Sequence, residues 1–296
     1  MPAQLMAVPN ISCGRDPAVI EAVGRAYRDA GALLLDTHTD VDHDRSVHTL
    51  AAPQGVLAGA VAAGARLAAE LIDISANTGV HPHVGALDIA PVVHLDDARR
   101  GAAVAEALVL GGLIGDAVGI PVLLYGEMAS GRKRSEIRSG GLEELSRLIG
   151  SGELQVDFGP GRIDPRTGVT MVGSRGPMVA FNLVMDGSVT LERAREVAAA
   201  VREGGANGLP GVRALGLELD QQGLVQVSAN LERPWQAGIA ELHSAVSALA
   251  PVSHGELVGL APRSVLERAL AVVAIPGADP DLHSIEGCLR FHGVTG

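Results

Sequence analysis

The densest group of proton-transferring and metal-ligating side chains lies between residues 36 and 88. DTHTDVDHDRSVHT (36–49) carries His38, His43 and His48 among Asp36, Asp40, Asp42 and Asp44. HPHVGALD (81–88) adds His81, His83 and Asp88. Three readings of these residues stand side by side. Imidazole and carboxylate together ligate zinc or iron, although no HExxH or comparable metal spacing is present. An imidazole that titrates near neutral pH suits a general acid or base. His81, between Val80 and Pro82 at the start of an expected strand, has the loop position in which a scaffold often holds a catalytic group. The third reading is a histidine that serves only a polar turn. His81 and His83 point to opposite faces of an extended chain unless a turn gathers them. Asp88 is seven residues beyond His81, and local periodicity implies no contact between the two.

A second polar feature is GRKRSEIRSGG (131–141), where Arg132, Lys133, Arg134 and Arg138 form a basic island. In a loop after a strand, such a group either stays solvated or binds a carboxylate or phosphate. Just before it, Tyr125 and Glu127 flank Gly126 and, in an extended strand end, share one side. In TGVTMVGSRGPMVAFN (167–182), Gly173 could admit a flat ligand and Arg175 could grip an anionic tail, or both belong to an ordinary turn.

These residues need a scaffold, and the composition describes it. A chain of 296 residues has room for one large domain or two smaller ones. Alanine, glycine and aliphatic side chains dominate, with three Phe, two Tyr and one Trp, as in an α/β protein with an aliphatic core. The formal net charge of −11 repels nucleic acid and anionic membrane, and the sparse aromatics offer no stacking platform for bases. Small-molecule substrates are the expected partners. Cys13 and Cys288 lie near opposite ends without a CxxC pattern, so two free thiols in a reducing cytoplasm are expected. The N-terminus has no basic lead and long apolar core of a signal peptide. AAVAEALVLGGLIGDAVGI (102–120) contains Glu106, Asp116 and several glycines. It reads as a packed helix and not a membrane span.

The last third has the clearest element order. Residues 178–185 read as a strand, and Thr190 caps the helix that follows. Residues 212–220 and 223–231 alternate as two strands about a turn at Gln221–Gln222–Gly223. A helix at 237–250 and a short strand at 256–262 complete βαββαβ, the split unit with two helices on one face of a four-stranded antiparallel sheet. The first half reads alike: a strand over QLMAVPN (4–10), a helix from 18 and strands over ALLLDTH (32–38) and RSVHTLAA (45–52). A helix over residues 53–72 and a strand over 85–95 follow. A further helix (97–118) and a strand (120–128) extend it, and DFGPGRIDPRTG (157–168) is a structured crossing loop. Helices on one face leave the other open for a ligand or another domain.

Taken together, the motifs resemble those of the glutamate formiminotransferases, folate-dependent enzymes of histidine degradation. The likeness runs through VPNIS (8–12), LLD (34–36), DRSVHT (44–49), HPHVGALDIAP (81–91), IPVLLYGE (120–127) and IRSG (137–140). It continues through DFGP (157–160), VGSRGPMVAFN (172–182), QVSANL (226–231) and ELVGLAP (256–262). The resemblance implies an α+β fold of two ferredoxin-like βαββαβ subdomains facing each other across a substrate groove, spanning residues 1–177 and 178–296. It implies a homodimer that moves a formimino group from N-formimino-L-glutamate to N5 of tetrahydrofolate, the co-substrate, with no metal. The first histidine of the family's HPxxGALD motif is catalytic, which maps to His81. The folate loop maps to Gly159, Pro160, Gly161, Arg162, Ile163, Asp164, Pro165, Arg166, Thr167 and Gly168. Arg175 and the arginines of the basic island are candidates for substrate carboxylates.

Two departures sit beside the expected chemistry. Where the family usually has an acid two positions after the aspartate of LLD, this chain has His38, which becomes a second catalytic candidate. The family asparagine before arginine is Asp44 here, followed by Arg45. The departures keep two other readings in view. One is a diverged folate-dependent transferase or amidine hydrolase with another donor; the other is a folate-binding protein without catalysis.

Overall fold

The computed structural model describes residues 4–219 and 223–294. Two compact units meet in the chain between Gly176 and Pro177. The first contains β1 (Gln4–Ala7), β2 (Asn10–Ile11), α1 (Pro17–Asp29), β3 (Leu33–Asp40), β4 (Arg45–Pro53), α2 (Leu57–Leu71) and β5 (Leu87–Val93). It continues with α3 (Arg100–Gly112), β6 (Val122–Leu124), α4 (Arg134–Ile137), α5 (Gly141–Ser151) and β7 (Thr170–Arg175). The expected first strand is two short ones, because Val8 and Pro9 interrupt it, and a proline has no N–H for a ladder.

β1 lies between β4 and β5, and β3 pairs with the outer side of β4, all antiparallel. β5 then pairs in parallel with β7, and β7 with β6. Residues 170–175, to which the sequence assigns no strand, are therefore a fully paired central strand, and the sheet is mixed. Val169, Met171 and Val172 are fully buried, as a strand covered on both faces requires. The expected strand over 120–128 is real only at Val122–Leu124. Gly126 turns to φ +68 and starts a 3-10 turn, so Tyr125 and Glu127 do not share a strand side.

Asp16 caps α1 by accepting the Ala18 and Val19 N–H groups, and Pro17 supplies the preset first turn. The helix buries Ile20, Val23, Gly24 and Tyr27, one face at helical spacing. α2 has no side-chain cap of its own. The carboxylate of Glu106, buried in α3, instead accepts the N–H groups of Gly55 and Ala58, each at 2.8 Å. That explains an acid inside an apolar run: it satisfies orphan donors at a helix N-terminus. The helical stretch Asp97–Val118 is long and apolar enough to cross a membrane. In this fold it buries Ala103, Ala107 and Leu110, and exposes Leu108 and Val109.

One apolar cluster joins α1, α2 and α3 to the sheet. A second lies around β6 and β7 and includes Ile137, Leu145 and Ile149 of α4 and α5. The expectation of helices on one face alone is corrected here: α5 covers the other face at the β6 end. Its Leu142, Leu145 and Ile149 repeat at helical spacing between Gly140 and Gly152.

The second unit contains β8 (Val179–Met185), α6 (Leu191–Val201), β9 (Val212–Leu219), β10 (Leu224–Leu231), α7 (Ile239–Ser247) and β11 (Val252–Val258). α8 (Arg263–Leu270), α9 (Pro280–His283) and α10 (Ile285–Phe291) close it. Its strand order is β11-β8-β10-β9, antiparallel throughout, with the expected βαββαβ sequence. Thr190 caps α6 through the Arg193 N–H at 3.2 Å. The last strand begins earlier than residue 256 and stops before Gly259, whose φ of +73 turns the chain. Gln221 and Gln222 of the expected turn lie outside the described residues. Cys13 and Cys288 are both free thiols.

Inside the first unit, the His48 ring meets the edge of Tyr27 at a centroid distance of 5.3 Å. Burial pushes its pKa down to about 4. The unfolded chain takes up this proton below about pH 6.5, whereas the folded chain refuses it until about pH 4. This contribution to stability is full above the unfolded value and is lost as pH falls through that window, by about 3 kcal/mol. The urea midpoint should fall between pH 7 and pH 4.5, and His48→Leu should flatten that fall. An unchanged slope in the variant would show that His48 is not its source.

Candidate active site

β5 and β7 are parallel neighbours, so the segments that enter them emerge at the same end of the sheet. One carries HPHVGALD; the other is the loop over residues 159–168. They are stitched together by backbone. Ile74 N–H donates to Arg166 O at 3.0 Å, Ala86 N–H to Thr167 O at 2.9 Å, and Val169 N–H to Val84 O at 2.8 Å. Gly168 has φ +70, and a Cβ there would stand 2.0 Å from Val84 O. Only glycine allows that approach. The Arg166 side chain adds an ion pair with Asp73 at 3.1 Å.

Asp88 is fully buried at the base of this segment. Its Oδ1 accepts the Val84 N–H at 2.8 Å, closing the turn that follows His83. Its Oδ2 accepts from Arg45 Nη1 at 2.8 Å and from Arg138 Nη2. Arg45 in turn donates from Nε and Nη2 to Asn10 Oδ1, at 3.1 and 2.9 Å. Burial alone would raise the Asp88 carboxyl; Arg138 and Arg45, with the Val84 N–H, outweigh it and hold it well below the carboxylate range. Burial lowers the Arg45 pKa, with Asp88 opposing and Arg138 adding to the effect.

His81 is half-buried beside these groups. Burial, then the repulsion of Arg45 and Arg138, pushes its pKa well below 6.5, against the pull of Asp88. At neutral pH the imidazole is therefore a free base, and its Nδ1 is buried without a hydrogen-bond partner. Its ring neighbour is His43, at a centroid distance of 5.7 Å. That contact arises because the turn from Asp40 to Arg45 packs onto residues 77–80. Val80 N–H donates to Asp42 O at 3.0 Å, and a Cβ on Gly79 would stand 2.1 Å from His43 O. The His43 N–H donates to Asp40 Oδ1 at 2.8 Å, and its Nδ1 lies 3.6 Å from Asp40 Oδ2. Asn77 clamps the same junction through Ser12 O and Asp44 O, each at 3.1 Å. Asp44 has φ +45, a left-handed conformation that asparagine and aspartate both tolerate. The exchange of the family asparagine for Asp44 keeps the turn.

His38 is on β3, opposite Val47. Asp36, His38 and Asp40 share a face with Arg45 and Asn10, since directly opposed residues lie on one side of a sheet. His38 thus belongs to the polar face, but the imidazole packed against His81 is His43. His83 instead places its Nδ1 3.3 Å from His81 O. Among the described residues, no three His, Cys, Asp or Glu side chains are gathered as a metal set.

Gly159, Pro160, Arg162, Ile163, Asp164 and Pro165 line an open cavity of about 690 Å³ with Gly115, Asp116 and Gly119. Phe158 anchors the start of this loop by lying against Gly111 and Gly115 of the helix end. The lining of this cavity does not include His81. Gly161 lies between its lining residues, while Arg166, Thr167 and Gly168 tie down the loop's far end.

The basic island is not one loop. Arg132 pairs with Asp157 at 2.9 Å, Lys133 with Glu136 at 3.8 Å, and Arg134 lies over the Tyr125 ring. Arg138 reaches Asp88. The flat ring admitted by Gly173 is that of Tyr125, which a Cβ would meet at 2.6 Å. Arg175 faces Val93 at the other end of β5, about 16 Å from Asp88 at strand rise.

Sequence reasoning did not place the His43 ring against His81, nor Arg45 and Asn10 around Asp88. The signal was present for three of them: Asn10, Arg45 and Asp88 belong to VPNIS, DRSVHT and HPHVGALD.

Comparison with known proteins gives the family to which this chain is similar. The N-terminal subdomain of the formiminotransferase domain matches residues 4–175. Formimidoyltransferase-cyclodeaminase of Gallus gallus is 36% identical over 88% of this chain and 50% of its own length. Glutamate formimidoyltransferase of Thermoplasma acidophilum is 32% identical over 88% of each chain. The corresponding protein of Streptococcus pyogenes is 31% identical over 88% of this chain and 89% of its own. The chain spans about half the length of the cyclodeaminase-fused relatives.

Proposed function

Because the chain belongs to the formiminotransferase family, we propose that it moves a formimino group from N-formimino-L-glutamate to N5 of tetrahydrofolate in histidine degradation. The observation that carries this reading is His81: a half-buried imidazole kept neutral by burial and by two neighbouring guanidinium groups. Tetrahydrofolate, the co-substrate, supplies the nucleophilic nitrogen. His81 takes the proton that N5 loses as it bonds to the formimino carbon. The resulting imidazolium, disfavoured by Arg45 and Arg138, returns that proton to the amino nitrogen of the departing glutamate. One group acting as base and then as acid suffices, and no covalent enzyme intermediate is needed.

The loop residues Gly159, Pro160, Arg162, Ile163, Asp164 and Pro165 are proposed to hold folate, in keeping with the cavity they line. Arg175, a strand's length from Asp88, suits the glutamyl carboxylates at folate's far end. His38, on the polar face, is proposed to contact substrate and not to orient His81. The element and strand order of each unit supports a ferredoxin-like reading of both. A homodimer in a reducing cytoplasm completes the proposal, with light scattering as the check on assembly.

The decisive experiment is a coupled assay for glutamate. Release should require both N-formimino-L-glutamate and tetrahydrofolate. Release without the folate would make the protein a hydrolase, and folate binding without turnover would make it a binding protein.

A further inference from the structure

Arg45, Arg138 and Asp88 form a buried set of two cations and one anion. Arg45 is committed on three nitrogens, to Asp88 and Asn10. Arg138 gives Nη2 to Asp88, and its Nε is buried without a hydrogen-bond partner. Its side chain is 17% exposed, so one side remains open to a ligand. An excess positive charge taken out of water, with a donor left unpaired, is costly until an anion completes it. Of the island's other cations, Arg132 pairs with Asp157, Lys133 pairs with Glu136, and Arg134 lies over the Tyr125 ring.

We propose that Arg138 is the carboxylate anchor of the formimino donor, held in place by Asp88 and gripping the amino acid's acid group beside His81. The inference rests on the formiminotransferase reading and names which substrate this arginine meets. Folate's own carboxylates are separated from N5 by the whole aminobenzoyl group, so an anion held next to the proton-transfer residue belongs to the donor. A guanidinium also fits a carboxylate with two parallel N–H donors, which fixes the orientation of the formimino carbon as well as its affinity.

The test is Arg138→Lys, which retains the charge opposite Asp88 and removes the fork. Calorimetric titration with L-glutamate reads the anion site whether or not transfer occurs. Affinity should fall about 10- to 100-fold, the loss of one charge-assisted contact. In turnover, KM for N-formimino-L-glutamate should rise by a similar factor, with KM for tetrahydrofolate little changed. The penalty should shrink for donors in which the gripped carboxylate is replaced by an amide, tested at each carboxylate in turn. Circular dichroism and the melting temperature establish that the variant is folded; if it is not, the amide donors on the unaltered protein decide. Equal glutamate affinity in the two proteins, a penalty confined to tetrahydrofolate, or full activity on both amide donors would overturn the assignment. Lack of transfer by the unaltered protein, with Arg138-dependent glutamate binding intact, would sink the formiminotransferase reading and leave the anion site standing.

Discussion

His81→Ala should lower kcat for formimino transfer by about 10²- to 10⁴-fold, the usual contribution of a positioned acid–base group. The fold should be nearly unaffected. His81 lies in a loop, and its Nδ1 has no hydrogen-bond partner, so truncation orphans no partner there. The pH profile supplies a second reading of the same residue. Burial and the two arginines keep the imidazole deprotonated well below pH 6.5. Activity governed by the basic form should therefore persist into mildly acidic solution, its acid limb lying below the ordinary histidine value. The limb should vanish from whatever activity the variant retains. Turnover by His81→Ala within tenfold of the unaltered protein would remove His81 from the proton-transfer role.

Asp88→Asn should have the largest effect on stability, a loss of about 3–5 kcal/mol from breaking a buried ion network on one side. The amide still accepts one hydrogen bond but leaves Arg45 and Arg138 without a countercharge. Denaturant unfolding at pH 7 measures the loss. The linkage has a definite sign. The folded-state pKa of Asp88 is depressed, so its contribution is fully present above the unfolded carboxyl value and is lost as pH falls through the folded one. The difference between the two proteins should thus narrow only in strongly acidic solution. Because Asp88 pulls the His81 pKa upward, removing its charge should also shift any remaining acid limb to lower pH. A loss below about 1 kcal/mol would mean that the two guanidinium groups find other partners.

Much of the fold was legible because its elements carry their own punctuation. Thr190 starts α6, and the alternation in β9 and β10 marks one buried face. β7 was not legible as a strand. A fully buried parallel strand lacks alternation, and Gly173 looks like a turn residue until the Tyr125 ring is seen to occupy its space. α5 escaped for a different reason: it lies in a stretch whose glycines and arginines read as loop, although its apolar spacing is helical.

The sequence by itself determined which residues belong to the site's motifs. His81 stands in HPHVGALD, the basic island stands apart from an acidic chain, and the loop over residues 159–168 must cross between elements. Motif order also sufficed to reveal the family. The tertiary structure decided who partners whom. His38 was the conspicuous departure in sequence, yet the ring beside His81 is His43, brought there by a left-handed turn at Asp44 packed onto Gly79. Arg138 was one of four equivalent basic residues until Asp88 singled it out. The physical reason is the same in both cases. Side-chain type and local spacing are properties of the chain, whereas burial and charge balance arise when segments distant in sequence, such as residues 45, 88 and 138, exclude water together.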